Sequence, residues 1–191
     1  MCIKVDLGIK VEILPVVLKR GTNDATVEPF RLYRPERRRW EDGYARRHQD
    51  LLTRKNKNTG GQFIPAIKVL KHLRSRYKLH AASFHIECLL YRLPDRVFRG
   101  SPPDYIGAIL SHLSAHSAEW WYRQRLITPC GDRAIFTKIE WRWADWDAFY
   151  SRMSLCARRA AVAIEEPDRA EAIADWRRIL GDDFFPLQVG R

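Results

Sequence analysis

Period-two patterning is confined to residues 2–17 of this chain, while from Phe63 onward the apolar residues recur at three and four. In "IKVEILP", residues 9–15, alternation puts Ile9, Val11 and Ile13 on one side and Lys10, Glu12 and Leu14 on the other, which is how a strand reads. "CIKVDL", residues 2–7, reads as a second strand, and Gly8 between them suits a tight turn. An isolated hairpin is marginal in water, so this pair must extend a sheet or pack on helices. The expected class is α+β, a short N-terminal β-hairpin followed by a mainly α-helical bundle.

The helical part divides at its own punctuation. Phe63, Ile67, Leu70, Leu73 and Tyr77 define one apolar face, with Lys68, Lys71 and Ser75 on another. A second helix is predicted from Ser83 to about Arg92, short of Pro94, and a third over 104–124, started by Pro102 and Pro103. Tyr105, Ile109, His112, His116 and Trp120 form the stripe of that third helix. "ITPCGD" breaks the chain. A longer helix then begins near Trp143, with Trp146, Phe149, Met153, Ala160 and Ile164 on its apolar face. A last one opens at Pro167 and Asp168 and stops at Gly181.

The chain has 191 residues, and 34 Lys and Arg against 23 Asp and Glu give it a net charge of +11, which favours phosphates, nucleotides or anionic surfaces. Residues 31–57 concentrate that excess, with eight Arg and two Lys around Tyr33, Trp40 and Tyr44. Arg37, Arg38, Arg39, Arg46 and Arg47 are candidate phosphate contacts of a nucleic-acid surface; the alternative is a solvated basic face on a loop and helix. Cys2, Cys88, Cys130 and Cys156 are too dispersed for a metal pair or a disulfide framework, so reduced thiols are expected. No apolar run is long enough to cross a bilayer. Asp6, Glu12 and three Lys among residues 1–20 exclude a signal peptide there, which leads to a cytoplasmic expectation.

Glu12 is either a solvated strand acid or a ligand for a hard divalent ion such as magnesium. With a two-residue turn through Leu7 and Gly8, Asp6 falls opposite Ile9, on the other side from Glu12. His112 and His116, at i and i+4, are compatible with a metal, but no third ligand follows, and packing against aromatic neighbours explains them better. Ser83 suits the N-cap of its helix. A helix start is also a natural phosphate seat, on which Lys68 and Lys71 could converge.

Taken in order, "VEILPVV", Trp40 in a basic loop, "FIPAIKVLKHLRS", "ASFHIECLL" and "EAIADWRRILGDDFFP" resemble the C-terminal two-thirds of nucleotidyltransferases of the cyclic GMP–AMP synthase and oligoadenylate synthase type. The likeness is nearest to the bacterial members that make cyclic oligonucleotide signals in anti-phage defence, and it runs from about residue 3 to 187. It implies residues 1–27 as part of a catalytic sheet and 28–191 as a helical nucleotide-binding lobe. It further implies Glu12 as the third catalytic carboxylate on a magnesium site, where the family more often carries Asp. Lys71 and Ser83, and more weakly Lys68, would contact the triphosphate of ATP or GTP. Such enzymes open with a Gly-Ser motif and an Asp-x-Asp pair. The Gly-Ser here, Gly100–Ser101, precedes two prolines and lies far downstream of Glu12. The resemblance therefore implies a chain inactive by itself, completed by a separate N-terminal half or joined by a regulatory protein.

Overall fold

The computed structural model describes residues 3–6, 10–13, 17–18, 30–34 and 38–184. They fall into two compact units, Met1–Leu51 and Leu52–Arg191.

In the first unit the expected hairpin is present as antiparallel strands β1 (Ile3–Asp6) and β2 (Lys10–Ile13). Its register differs from the one a two-residue turn would set: Asp6 pairs with Lys10, not Ile9, and Lys4 pairs with Glu12. Because the side-chain period of a strand is two, positions 6 and 12 then share the parity of Lys4 and Lys10, and Ile3, Val5, Val11 and Ile13 share the other. Asp6 and Glu12 thus belong to the same side of the ladder, which corrects the expectation that they part.

A second sheet, in the order β3 (Val17–Leu18), β4 (Phe30–Arg34) and β5 (Arg39–Gly43), takes in Val17 at the end of the expected period-two stretch and residues that the sequence reads as a basic loop. Its register has a local cause. Gly43 stands opposite Phe30, and a Cβ at that glycine would come within 2.4 Å of a Phe30 ring carbon, so only glycine lets the ring lie across the ladder. Tyr33 is paired with Trp40 beyond it, their ring centroids 5.4 Å apart. Helix α1 (Ala45–Asn58) carries the chain from the first unit into the second.

The second unit is helical: α2 (Phe63–Arg76), α3 (Ser83–Tyr91), α4 (Pro102–Ser114), α5 (Ala118–Arg123), α6 (Trp143–Glu165) and α7 (Arg169–Leu180). Four of the predicted helices stand near their expected bounds. The single helix predicted over 104–124 is two, because the Ser117 hydroxyl accepts the Trp120 amide at 3.2 Å and so caps a new start. The stripe does not survive the break: Tyr105 and Ile109 are buried, His116 and Trp120 are exposed, and burial passes to Ala118 and Trp121. Ser101 begins α4, its amide and hydroxyl both donating to the Asp104 carboxylate at 2.9 and 2.6 Å, which lowers the Asp104 pKa.

The core sits where α2, α4, α6 and α7 bury one face each, with Phe63, Leu70, Leu73, Ile109, Phe149 and Ala160 fully enclosed. Trp141, Trp146 and Phe149 form its aromatic centre: Trp141 meets the other two edge-on at 5.1 Å, and the Trp146 indole donates to the Ala118 carbonyl at 2.9 Å. At the end of α7, His72 Nε2 donates to the Leu180 carbonyl at 2.5 Å and the Tyr77 hydroxyl to Ile179 at 3.0 Å, satisfying carbonyls the helix leaves open. Gly181, at φ 95°, then ends it as expected. No helix among the described residues is long and apolar enough to cross a membrane.

Candidate functional site

The cationic side of α2 meets the first turn of α3. Lys71 Nζ donates to Glu87 Oε1 at 2.5 Å, and Glu87 lies one turn after Ser83 on the same side of α3. Arg74, one turn on from Lys71, donates through Nη1 to the Ala81 carbonyl at 3.0 Å and to the Ser83 hydroxyl oxygen at 3.2 Å. Ser83 is the first helical residue rather than the cap. The cap position belongs to Ala82, whose methyl offers no acceptor, so the cap residue makes no side-chain hydrogen bond to the start of α3. Because Arg74 occupies an acceptor site of the Ser83 oxygen, the Ser83 proton is left to point elsewhere.

Farther along, the buried His85 stacks on Trp141 with centroids 5.4 Å apart and 14° between the rings, while its Nε2 lies 3.4 Å from Glu140 Oε2. Arg133 Nε is 3.7 Å from the other Glu140 oxygen, and the same guanidinium rests 4.9 Å over the Phe84 ring. A cleft of about 370 Å³ opens beside this group, lined by Arg74, Ala82, His85, Glu140 and Arg142 among others. Burial, with the neighbouring Glu87 carboxylate second, pushes the Cys88 thiol far up, so Cys88 is packing and not a nucleophile. Arg74, His85 and Glu140 escaped the sequence reading. Arg74 had a usable signal in its i+3 spacing from Lys71, whereas Glu140 comes from a distant loop with no periodicity.

The remaining candidates are scattered. Lys68 lines a separate, mostly apolar groove of about 680 Å³ with Pro65, Pro102, Ile164, Ile173 and Trp176, so the structure does not bring it to the α2–α3 cluster. His116 stacks on Trp120 at 3.8 Å and His112 meets Trp121 edge-on at 6.2 Å, as the packing alternative expects. Among the arginines, Arg38 sits in the β4–β5 turn at φ 47°, and Arg39 donates to Glu41 at 2.9 and 3.0 Å. Arg46 and Arg47 are exposed in the first turn of α1, and Arg37 lies outside the described residues. Glu12 is at the centre of β2, opposite Lys4.

Magnesium requires a compact set of oxygen ligands. Among the described residues no group of three or more His, Cys, Asp and Glu could hold a metal ion, and the β1–β2 register sets a lysine opposite each of Asp6 and Glu12. Among the described residues, then, no set fits a two-ion centre.

Comparison with known proteins gives a consistent answer. The cyclic UMP-AMP synthase of Rhodothermus marinus is 30% identical over 101 residues, which are 49% of this chain and 35% of that protein. Among solved structures, Escherichia coli MS115-1 CdnC with ATP superposes with a TM-score of 0.73 at 16% identity, covering 96% of this chain and 64% of that one. The Rhodothermus marinus CdnE c-UMP-AMP synthase with two nucleotide analogues gives 0.64 at 19% identity, covering 87% and 59%. CdnC in complex with HORMA-deltaN gives 0.65 at 17% identity, covering 93% and 60%. These likenesses show a shared fold, and the chain spans about a third of its curated relative and under two thirds of the solved ones. The family described as the cGAS/DncV-like nucleotidyltransferase C-terminal helical domain matches residues 50–156, and the chain belongs to it.

Proposed function

We propose that this chain supplies the triphosphate-gripping wall of a nucleotidyltransferase that joins nucleoside triphosphates into cyclic or linear oligonucleotide messengers, as a cytoplasmic component of anti-phage defence. The observation that carries the reading is the α2–α3 junction, where Arg74 reaches Ser83 at the start of α3 and Lys71 pairs with Glu87 one turn on. Phosphate oxygens suit that place for two additive reasons: the positive end of the helix dipole and a fixed cation. Lys71 would leave Glu87 for a phosphate, and Ser83, held by Arg74 through its oxygen, would donate its proton to a second phosphate oxygen. Substrates of the ATP and GTP kind fit these contacts.

Glu12 is the candidate carboxylate toward magnesium, Asp6 shares its side of the β1–β2 ladder, and a two-ion transfer needs three acids. In this reading a separate N-terminal half would contribute further acids. A regulatory protein is a further partner in this reading, by analogy with the CdnC complex with HORMA-deltaN.

Calorimetric titration with ATP tests the grip. The wild-type chain should bind. Lys71→Ala should weaken binding about tenfold, close to 1.4 kcal/mol, and Ser83→Ala by a smaller factor. Lys68→Ala should change affinity least, since its groove lies apart from the cluster. Equal affinities for the wild type and Lys71→Ala would overturn the assignment.

A further inference from the structure

The three-stranded sheet of the first unit carries an aromatic face that the nucleotide reading does not use. Cross-strand pairing puts Val17, Arg31, Tyr33, Trp40 and Asp42 on one side of β3–β4–β5. Val17, Tyr33 and Trp40 are 53%, 42% and 45% exposed, whereas Trp141 and Trp146 in the second unit are each 1% exposed. The Tyr33 and Trp40 rings are tilted by 58° at 5.4 Å, which leaves ring face uncovered on the outer side of the pair. Arg31 flanks them, 3.6 Å from the Asp42 carboxylate and 45% exposed, and Arg38 projects from the turn. Across residues 30–47 there are seven Arg against three acids.

An exposed apolar patch alone would suit any partner, but a patch framed by arginine selects an anion that also carries flat apolar faces. Nucleic acid has both. The bases of a duplex already stack on one another and show their faces to nothing outside, so two surface rings read unpaired bases. We propose that this sheet face binds single-stranded nucleic acid, with bases stacked on Trp40 and Tyr33 and the phosphate backbone on Arg31 and Arg38. The site is independent of the triphosphate grip, and either can fail without the other.

The test is fluorescence anisotropy of a labelled oligothymidylate of about twelve nucleotides, within the site size of such platforms, against the 191-residue chain and against a duplex of the same length. The strand should bind more tightly than the duplex. Trp40→Leu, which keeps apolar bulk and removes the aromatic face, should lose about tenfold in affinity, and Trp40→Phe should retain most of it. Arg38→Ala should lower the slope of log affinity against log salt by about 0.7. Lys71→Ala should leave strand binding unchanged. Duplex binding as tight as the strand's, equal affinity of Trp40→Leu and wild type, or no binding at low salt would each overturn the proposal. Circular dichroism of both Trp40 variants separates loss of stacking from loss of fold, since Phe and Leu must leave the same helix content for the comparison to count. If Leu alone unfolds the chain, Trp40 is structural and the proposal fails.

Discussion

Lys71 carries a partner before any ligand arrives, and that sets the sign of one prediction. Its ammonium is held by Glu87 at 2.5 Å with both side chains partly exposed, so part of any phosphate affinity is offset by breaking the pair. Glu87→Gln should therefore raise ATP affinity a few-fold at low salt, in the opposite direction to Lys71→Ala, and calorimetry on the two variants distinguishes a competing counter-ion from a supporting one. Arg74→Met should lower affinity with Lys71 intact, because Ser83 then loses the donor that orients it. His112 supplies a pH signature away from the site. Burial, then Arg96 and His116, lower its pKa below the ordinary 6.5. The unfolded chain thus takes up a proton before the folded one, and stability should fall as pH drops from 6.5 toward the folded value. Denaturant titrations across that window should show the loss in wild type and not in His112→Gln.

At the scale of elements, α2, α6 and α7 are legible because each sets an apolar stripe against a charged face, and α3 because Ser83 and Pro94 bound a mostly apolar run. Strands β4 and β5 are not. "FRLYR" and "RWEDG" lack the contrast of apolar and polar sides that betrays a half-buried strand, since Tyr33 and Trp40 stand outward among arginines. What aligns them is the fit of Phe30 over Gly43, visible only once the strands are paired. The split of α4 from α5 was hidden for another reason: spacing carries on through a bend, and only Ser117 shows the restart. Ser117→Ala should accordingly cost about 1 kcal/mol in chemical denaturation. Phe149→Ala, in the middle of the α6 face and against Trp141, should cost about 3–5 kcal/mol, enough to separate a capping loss from a core loss.

Over the whole molecule, the order of pieces in the sequence is enough to place the family. The side-chain contacts are less legible: Lys71 pairs with Glu87 and Ser83 accepts from Arg74, while Lys68 lines an apolar groove and Glu140 reaches His85 from a loop that no pattern connects to them. The account holds that this chain supplies a grip for triphosphates, with Glu12 toward metal, and that the chemistry needs acids beyond those the described residues bring together. Mass spectrometry of the purified chain after incubation with ATP, GTP and magnesium tests this most directly. The account predicts intact nucleoside triphosphates and no oligonucleotide; cyclic or linear products formed by this chain alone would contradict it.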